Sequence, residues 1–228
     1  MIAILEFLGT NCQRDMKKAF DFVQANKTCK ISSVIVGHRE NSLPKETSLV
    51  VIPGGFSYGD YWRSGCIASQ MPIMKAIKAY VSNGGRVLGI CNGFQILTES
   101  KLLEGTLMKN KGLKFIAKNQ ELYVENNHNA LLKDYQIKEK IILPIAHKEG
   151  NFYAPRETLE RLYENKQVLL CYSDDVNGSV NNIAGICNKD KNVFALMPHP
   201  ERALGIAKIL QTPSIDGVKM LLSLLEAY

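Results

Sequence analysis

Short apolar, β-branched runs alternate with stretches of helical spacing through the first half of the chain. The runs are Ile2 to Leu8, Ile31 to Gly37, Leu49 to Pro53 and Arg86 to Ile90. Between them, Met16, Ala19, Phe20 and Val23 recur at three- and four-residue steps, as do Ile73, Ile77, Tyr80 and Val81. That is the period of one buried helix face. Strands alternating with helices predict a doubly wound α/β fold, with a mostly parallel sheet covered on both faces.

The pattern changes over 112–150. Lys114 to Ala117, Leu122 to Asn126 and Ile141 to Ala146 read as strands with no helical spacing between them, which predicts an antiparallel excursion at the sheet edge. A helix is expected after Pro155, then strands at Gln167 to Tyr172, Ile183 to Asn188 and Val193 to Met197. A last amphipathic helix carries Val218, Leu221, Leu222 and Leu225. Nothing resembling a linker, a repeat or a low-complexity stretch interrupts the chain, so 1–228 is expected to form one domain.

Composition narrows the class without deciding the chemistry. Of 228 residues, 46% are hydrophobic and 22% charged, as in an ordinary globular protein. The formal charge is +6, but the basic residues are scattered and lack the aromatic-interleaved stripe of a nucleic-acid binder. Six cysteines, Cys12, Cys29, Cys66, Cys91, Cys171 and Cys187, include no C-x-x-C pair, which argues against a zinc ribbon or a thioredoxin-like motif and for free thiols. The N-terminus has no basic leader and carries Glu6 within its apolar run, unlike a signal peptide. No segment approaches the roughly 18 apolar residues of a membrane span. A cytoplasmic protein is the expectation, with neither nucleic acid nor membrane as partner.

In open parallel sheets, ligands gather beyond the carboxyl ends of the strands. Three segments leave such ends: PGGFSYGD at 53–60, GICNGFQ at 89–95 and MPHPERA at 197–203. Gly89-Ile90-Cys91-Asn92-Gly93 is a cysteine form of the G-x-S-x-G elbow, a strained turn that exposes a nucleophile. The following helix N-terminus is expected to lower the thiol pKa and favour the thiolate. The pentapeptide equally suits a small buried cysteine at a tight turn, and on its own it leaves both readings open.

His199 and Glu201 form an H-x-E pair at another predicted strand end. A cysteine nucleophile needs a base that takes its proton and returns it to the leaving nitrogen, and Glu201 is placed to hold the imidazole in one tautomer. An isolated H-x-E is more simply a surface histidine beside an acid. The predicted sheet changes that balance by putting both motifs on one rim. His38, His128 and His147 lack a comparable setting, although His147 falls near that rim. Gly54 and Gly55 let backbone N–H groups approach a ligand, and the amide after the nucleophile, that of Asn92, is the usual second donor to an oxyanion. Asn177-Gly178-Ser179 reads first as a turn. There is no G-x-x-x-x-G-K-[ST], no G-x-G-x-x-G and no H-E-x-x-H, the signatures of phosphate, dinucleotide and zinc chemistry.

PGGFSYGDYWRSG, GICNGFQIL and MPHPERA, in this order and spacing, resemble the class I, or triad, glutamine amidotransferases. Within that class they are most similar to the glutaminase subunits of purine biosynthesis. GTNCQRD, PIAHKEG and NGSVNNIAGI extend the similarity over nearly the whole chain. The resemblance implies a flavodoxin-like amidotransferase fold. It implies Cys91 as nucleophile, His199 as general base and acid, and Glu201 as the acid that orients it. Gly54, Gly55, Asn92, Gln95, Asn177, Gly178 and Ser179 match substrate-binding positions, with the backbones of Gly55 and Asn92 at the oxyanion hole. Departures stand at Gln13, Lys148, Asp175 and Val176, where the family commonly has aspartate, glycine, asparagine and proline.

The activity so implied is hydrolysis of glutamine to glutamate and ammonia. The ammonia is delivered to a large ATP-dependent synthetase subunit that converts formylglycinamide ribonucleotide to formylglycinamidine ribonucleotide, with a small bridging subunit completing the complex. No cofactor or metal is expected in this chain, ATP and magnesium belonging to the synthetase. The elbow and triad also suit a class I glutaminase serving another acceptor. A non-hydrolytic thiol stress protein on a related fold would use Cys91 only as an oxidation sensor. Cys12 and Cys66, in family-like segments that could border the site or an interface, fit best as buried structural thiols; Trp62, after GDY, is a lesser candidate for interface surface.

Overall fold

The computed structural model describes residues 1–25, 27–28, 30–205 and 214–226. Cys29 lies outside them. The chain order is β1 (Ile2–Glu6), α1 (Gln13–Val23), β2 (Ser33–Gly37), β3 (Leu49–Ile52), α2 (Pro72–Ser82), β4 (Arg86–Ile90) and α3 (Asn92–Glu99). It continues through β5 (Thr106–Met108), β6 (Ile116–Val124), β7 (Lys140–His147), β8 (Asn151–Tyr153), α4 (Arg156–Glu164), β9 (Val168–Tyr172), β10 (Ile183–Cys187), β11 (Val193–Leu196) and α5 (Asp216–Glu226). All four residues of β3 and of β11 are buried, as expected of strands covered on both faces. Met16, Ala19, Phe20 and Val23 form the buried stripe of α1, and Pro72 opens α2, where its missing N–H costs nothing.

One nine-stranded sheet runs β2-β1-β3-β4-β11-β10-β9-β6-β7. Its first five strands pair in parallel, whereas the next four pairings are antiparallel. Because antiparallel steps alternate direction, only β10 and β6 run against the rest, and the sheet is mostly parallel. From β1 through α1 the chain moves to one side, and from β3 through α2 it moves to the other. Right-handed crossovers therefore put those helices on opposite faces. This is the doubly wound arrangement expected from the sequence, and the antiparallel edge is β6 and β7.

Two local features differ from the sequence expectation. Lys114 to Ala117 and Leu122 to Asn126 are not two strands: Ile116–Val124 is one continuous strand, paired with β7 on one side and β9 on the other. Its polar middle, Lys118 to Glu121, breaks the apolar pattern while the backbone pairing continues. The small β5–β8 pair was not anticipated, since three-residue strands carry too little periodicity to register. Phe152 in β8 is fully buried and stacks on Phe94 of α3 with ring centroids 5.9 Å apart, so this pair pins the helix behind the GICNG turn.

At the other end of the chain, α5 packs on α1 and on the turn Pro200–Arg202. Contact is close at Gly217, where a Cβ would stand 1.9 Å from the Pro200 carbonyl oxygen. Gly217→Ala is expected to destabilise the fold by about 1–3 kcal/mol, the usual cost of overpacking. Thermal unfolding should read this as a melting temperature several degrees lower.

Candidate active site

Three neighbouring parallel strands bring the three motifs together. In the register of the sheet, Ile52 of β3 lies opposite Gly89 of β4, and Ile90 of β4 lies opposite Leu196 of β11. The next residues after those strands therefore emerge side by side: Pro53 to Gly55, Cys91, and Met197 to His199. The Gly9 to Cys12 loop after β1 joins them through a bridge at Thr10 and Gly55. The bridge bonds run from Phe56 N to Gly9 O at 2.9 Å and from Asn11 N to Gly54 O at 3.4 Å, leaving the Gly55 N–H outside that pair. Strand order reverses between β1 and β3, so the rim also lies at a topological switch point, the usual location of a ligand crevice.

Cys91 has φ 52° and ψ −104°, a conformation that costs a non-glycine residue energy and persists only when its surroundings enforce it. The enforcement is visible on both sides. Its N–H donates to Leu196 O at 2.7 Å, and Gly93 lies so close to β3 that a Cβ there would be 1.9 Å from Ile52 O. A Cβ on Gly89 would meet the Gly93 backbone at 2.9 Å. The two glycines that flank the cysteine are required by this packing. The thiol donates to Ala146 O at 3.6 Å, and the adjoining Asn92 N–H favours its charged form.

His199 Nδ1 donates to Glu201 Oε1 at 2.6 Å, with both side chains buried. That bond leaves Nε2 as the open nitrogen, and it has no partner among the described residues. His199, Cys12 and Cys91 all close in on Gly54. A Cβ on Gly54 would lie 2.8 Å from His199 Cε1 and 3.5 Å from Cys91 Cβ. Only glycine fits there. Burial strongly opposes charge on Glu201, yet His199 and then Arg202 hold its carboxyl below the usual range.

Expectation and structure part over the resting thiol. The helix N-terminus was expected to favour a thiolate, but burial pushes Cys91 up to about 12, reinforced by Cys12 and opposed by Arg202. Desolvation outweighs one short helix end because the sulfur is enclosed by protein rather than presented to water. At rest Cys91 is a neutral thiol.

The matching family model is the CobB/CobQ-like glutamine amidotransferase domain, which aligns over residues 1–217. The chain belongs to this family. It is 52% identical over 221 residues to phosphoribosylformylglycinamidine synthase subunit PurQ of Wolinella succinogenes, covering 96% of this chain and 97% of that protein. The subunit of the same name from Sulfurimonas denitrificans is 48% identical, with 99% of each chain covered. A chain of the PurLQS structure from Thermotoga maritima matches with a TM-score of 0.87 at 38% identity, over 99% of this chain and 97% of that one.

Within this amidotransferase fold, the other candidate residues divide into two groups. Gln95 is occupied by the protein itself: its Nε2 donates to Glu149 O at 2.6 Å and its Oε1 accepts from Asn92 Nδ2 at 2.8 Å. Asn92 Oδ1 in turn accepts from Ser57 N at 3.1 Å. These side chains lash the elbow to the loop after β3 and to the segment after β7. Asn177, Gly178 and Ser179 form the expected turn, with Gly178 at φ +88°. Ser179 Oγ accepts from Phe152 N at 2.9 Å and donates to Gly150 O at 3.3 Å. The stretch 146–150 thus connects the thiol, through the Ala146 carbonyl, to the Asn-Gly-Ser turn.

Two further neighbours stand here: Cys12, read from the sequence first as a structural thiol, and Arg202, which was not singled out. Cys12 accepts from Arg202 Nη2 at 3.1 Å, and its sulfur, a His199 ring nitrogen and a Glu201 carboxylate oxygen lie within 4.8 Å of one another. Each of these three groups is already engaged by a protein partner. The sequence signal for Cys12 was weak, a lone cysteine in GTNCQRD. For Arg202 it was adjacency to Glu201. His147, anticipated near the rim, is buried: its Nδ1 meets Asn110 Oδ1 at 3.1 Å, and burial holds its pKa down at about 4.

The departures are accommodated locally. Gln13 donates to Glu6 Oε1 at 2.6 Å, and Asp175 pairs with Lys111 at 3.0 Å on the surface. Lys148 points outward while its carbonyl accepts from Asn110 N at 2.8 Å. Val176 packs partly buried against the core.

With a neutral resting thiol, iodoacetamide should alkylate Cys91 of the isolated chain slowly at pH 7 and markedly faster as the pH approaches 10 and above. Cys66, only partly buried where the sequence suggested a buried thiol, serves as the internal comparison, with mass spectrometry as the readout. Fast labelling of Cys91 at neutral pH would contradict a protonated resting state.

Proposed function

We infer that the chain is the glutaminase subunit of phosphoribosylformylglycinamidine synthase. The reaction itself is supported by the buried Cys91 at a strained elbow and, at the neighbouring strand end, an imidazole whose Nδ1 is bound to a carboxylate. The likeness to PurQ subunits over almost the full chain carries the choice of pathway.

In this reading, His199 Nε2 takes the Cys91 thiol proton as the sulfur attacks the side-chain amide carbon of glutamine. The Gly55 and Asn92 N–H groups face the developing oxyanion. His199 returns the proton to the departing nitrogen, and ammonia leaves a γ-glutamyl thioester on Cys91. Water, deprotonated by the same imidazole, hydrolyses the thioester to glutamate and restores the thiol. Glu201 keeps the hydrogen on Nδ1 throughout, so that Nε2 alternates between acceptor and donor. Asn177, Gly178 and Ser179 shape the wall against which the amino acid end of glutamine rests.

Ammonia released into bulk water becomes largely ammonium and loses its nucleophilicity. The product is therefore assigned to a partner, the large synthetase subunit, with a small bridging subunit completing the assembly. The synthetase carries the ATP and magnesium that convert formylglycinamide ribonucleotide to the amidine, and no cofactor or metal is assigned to this chain. Among the described residues no helix is long and apolar enough to cross a membrane, and a cytoplasmic location suits the pathway. Tyr61 and Trp62, 72% and 90% exposed in the loop that follows Gly55, suit a docking surface beside the site.

The deciding experiment assays Cys91→Ala in the assembled enzyme with each nitrogen source. Glutamine-dependent synthesis should vanish while synthesis from added ammonia persists. Loss of both would assign the thiol a structural role. A companion measurement compares glutamine hydrolysis by the purified chain with and without its partner, and equal rates would contradict activation by assembly.

A further inference from the structure

We propose that Arg202 is a positioning residue: its guanidinium is the permanent counter-charge of the buried Glu201 carboxylate, and through that carboxylate it keeps the His199 Nε2 free to accept the Cys91 proton. The proposal deepens the glutaminase reading and rests on it.

Glu201 has no exposed side-chain surface, and His199 almost none. A carboxylate in such a place takes up a proton unless a positive charge compensates it. His199 holds the carboxylate through its Nδ1 hydrogen bond, whereas the charge of Arg202 does not depend on pH. A protonated Glu201 would instead donate to Nδ1, shift the ring hydrogen to Nε2 and leave no acceptor for the thiol proton. Arg202 Nε stands 3.9 Å from Glu201 Oε1, too far for a hydrogen bond but close enough to act as charge. The other arm of the same guanidinium donates to Cys12 Sγ at 3.1 Å. The Arg202 backbone N–H closes the turn onto His199 O at 3.2 Å. The side chain thus spans Glu201 and Cys12, while its backbone ties the turn to His199.

The remaining groups around the pair supply no substitute. From α1 come Cys12, pushed up to about 11 chiefly by burial, and the carboxyl of Asp15, which adds to that rise. The thiol of Cys91 at the start of α3 is pushed up to about 12. On β7, His147 is held down at about 4, and the Tyr172 phenol of β9 is raised by burial. At neutral pH, the two thiols, this imidazole and the phenol are uncharged. On α5, Lys219 is paired with Glu139 at 2.9 Å, and Asp216 accepts from Ile142 N at 2.8 Å. Among the described residues, Arg202 is the one permanent cation that acts on Glu201.

Losing this cation raises the proton affinity of the groups it faces, so the sign of its effect is fixed. The pH profile of glutamine hydrolysis by the assembled enzyme should move toward alkaline pH in Arg202→Gln. This variant keeps a polar arm toward Cys12 but removes the charge. Its acid limb in kcat/KM should rise by about one pH unit, which is roughly a tenfold loss on the acid side, with activity largely recovered at higher pH. Arg202→Lys should keep the wild-type limb, and so should Cys12→Ala, which removes a contact without removing charge.

A uniform fall at every pH with the limb unmoved would overturn the proposal, as would the same shift in Arg202→Lys. Should the glutamine variant fail to fold by circular dichroism, Arg202→Met makes the same charge deletion with an apolar stem. Wild-type enzyme unable to hydrolyse glutamine would take down the glutaminase reading and this proposal together. A hydrolysing enzyme with an unmoved limb would refute the role of Arg202 alone.

Discussion

The chemistry of this protein depends on the parallel register of β3, β4 and β11. Ile52 opposite Gly89 and Ile90 opposite Leu196 make three strands end at nearly one level. A side chain leaving one end therefore meets those leaving the others. A slip of one residue would turn alternate side chains to the opposite face and separate the thiol from the imidazole. The register is held by burial: these strands have apolar residues on both faces and lie in the middle of the sheet.

Close approach is the second constraint. Gly54, Gly89 and Gly93 each stand where a Cβ would meet backbone or a reactive side chain within 3 Å. The elbow is strained at one residue, Cys91, and its neighbours are stripped of side chains so that the helix following it can press against β3. Strain and compactness serve the same end. They hold Cys91 at the head of that helix, with His199 close to the same Gly54.

Such enclosure sets the electrostatics of the site. Taking Cys91 and His147 out of water keeps both uncharged at rest, whereas Glu201 remains ionised because His199 and Arg202 stand against it. The thiol is protonated at rest, and His199 Nε2 has no partner among the described residues.

Much of this was legible in the linear sequence. Alternation of β-branched runs with three- and four-residue spacing specified a doubly wound sheet, since burial on two faces leaves a periodic mark on each element. Gly-x-Cys-x-Gly and His-x-Glu at strand ends marked the thiol, imidazole and carboxylate, because a tight turn and a close ion pair are local in sequence. The long strand Ile116–Val124 was not legible as one element, since backbone pairing tolerates its polar middle. The three-residue strands beside Phe152 were too short to leave a period. Cys12 and Arg202 are separated by 190 positions, and no local pattern records their meeting. The protonation state of Cys91 was misjudged for a related reason. The sequence shows the helix that favours a thiolate but not the depth at which the sulfur lies. By itself the sequence determined which groups are available and which elements carry them; only the tertiary structure decided which of them meet and which are charged, because contact and desolvation belong to the packed molecule.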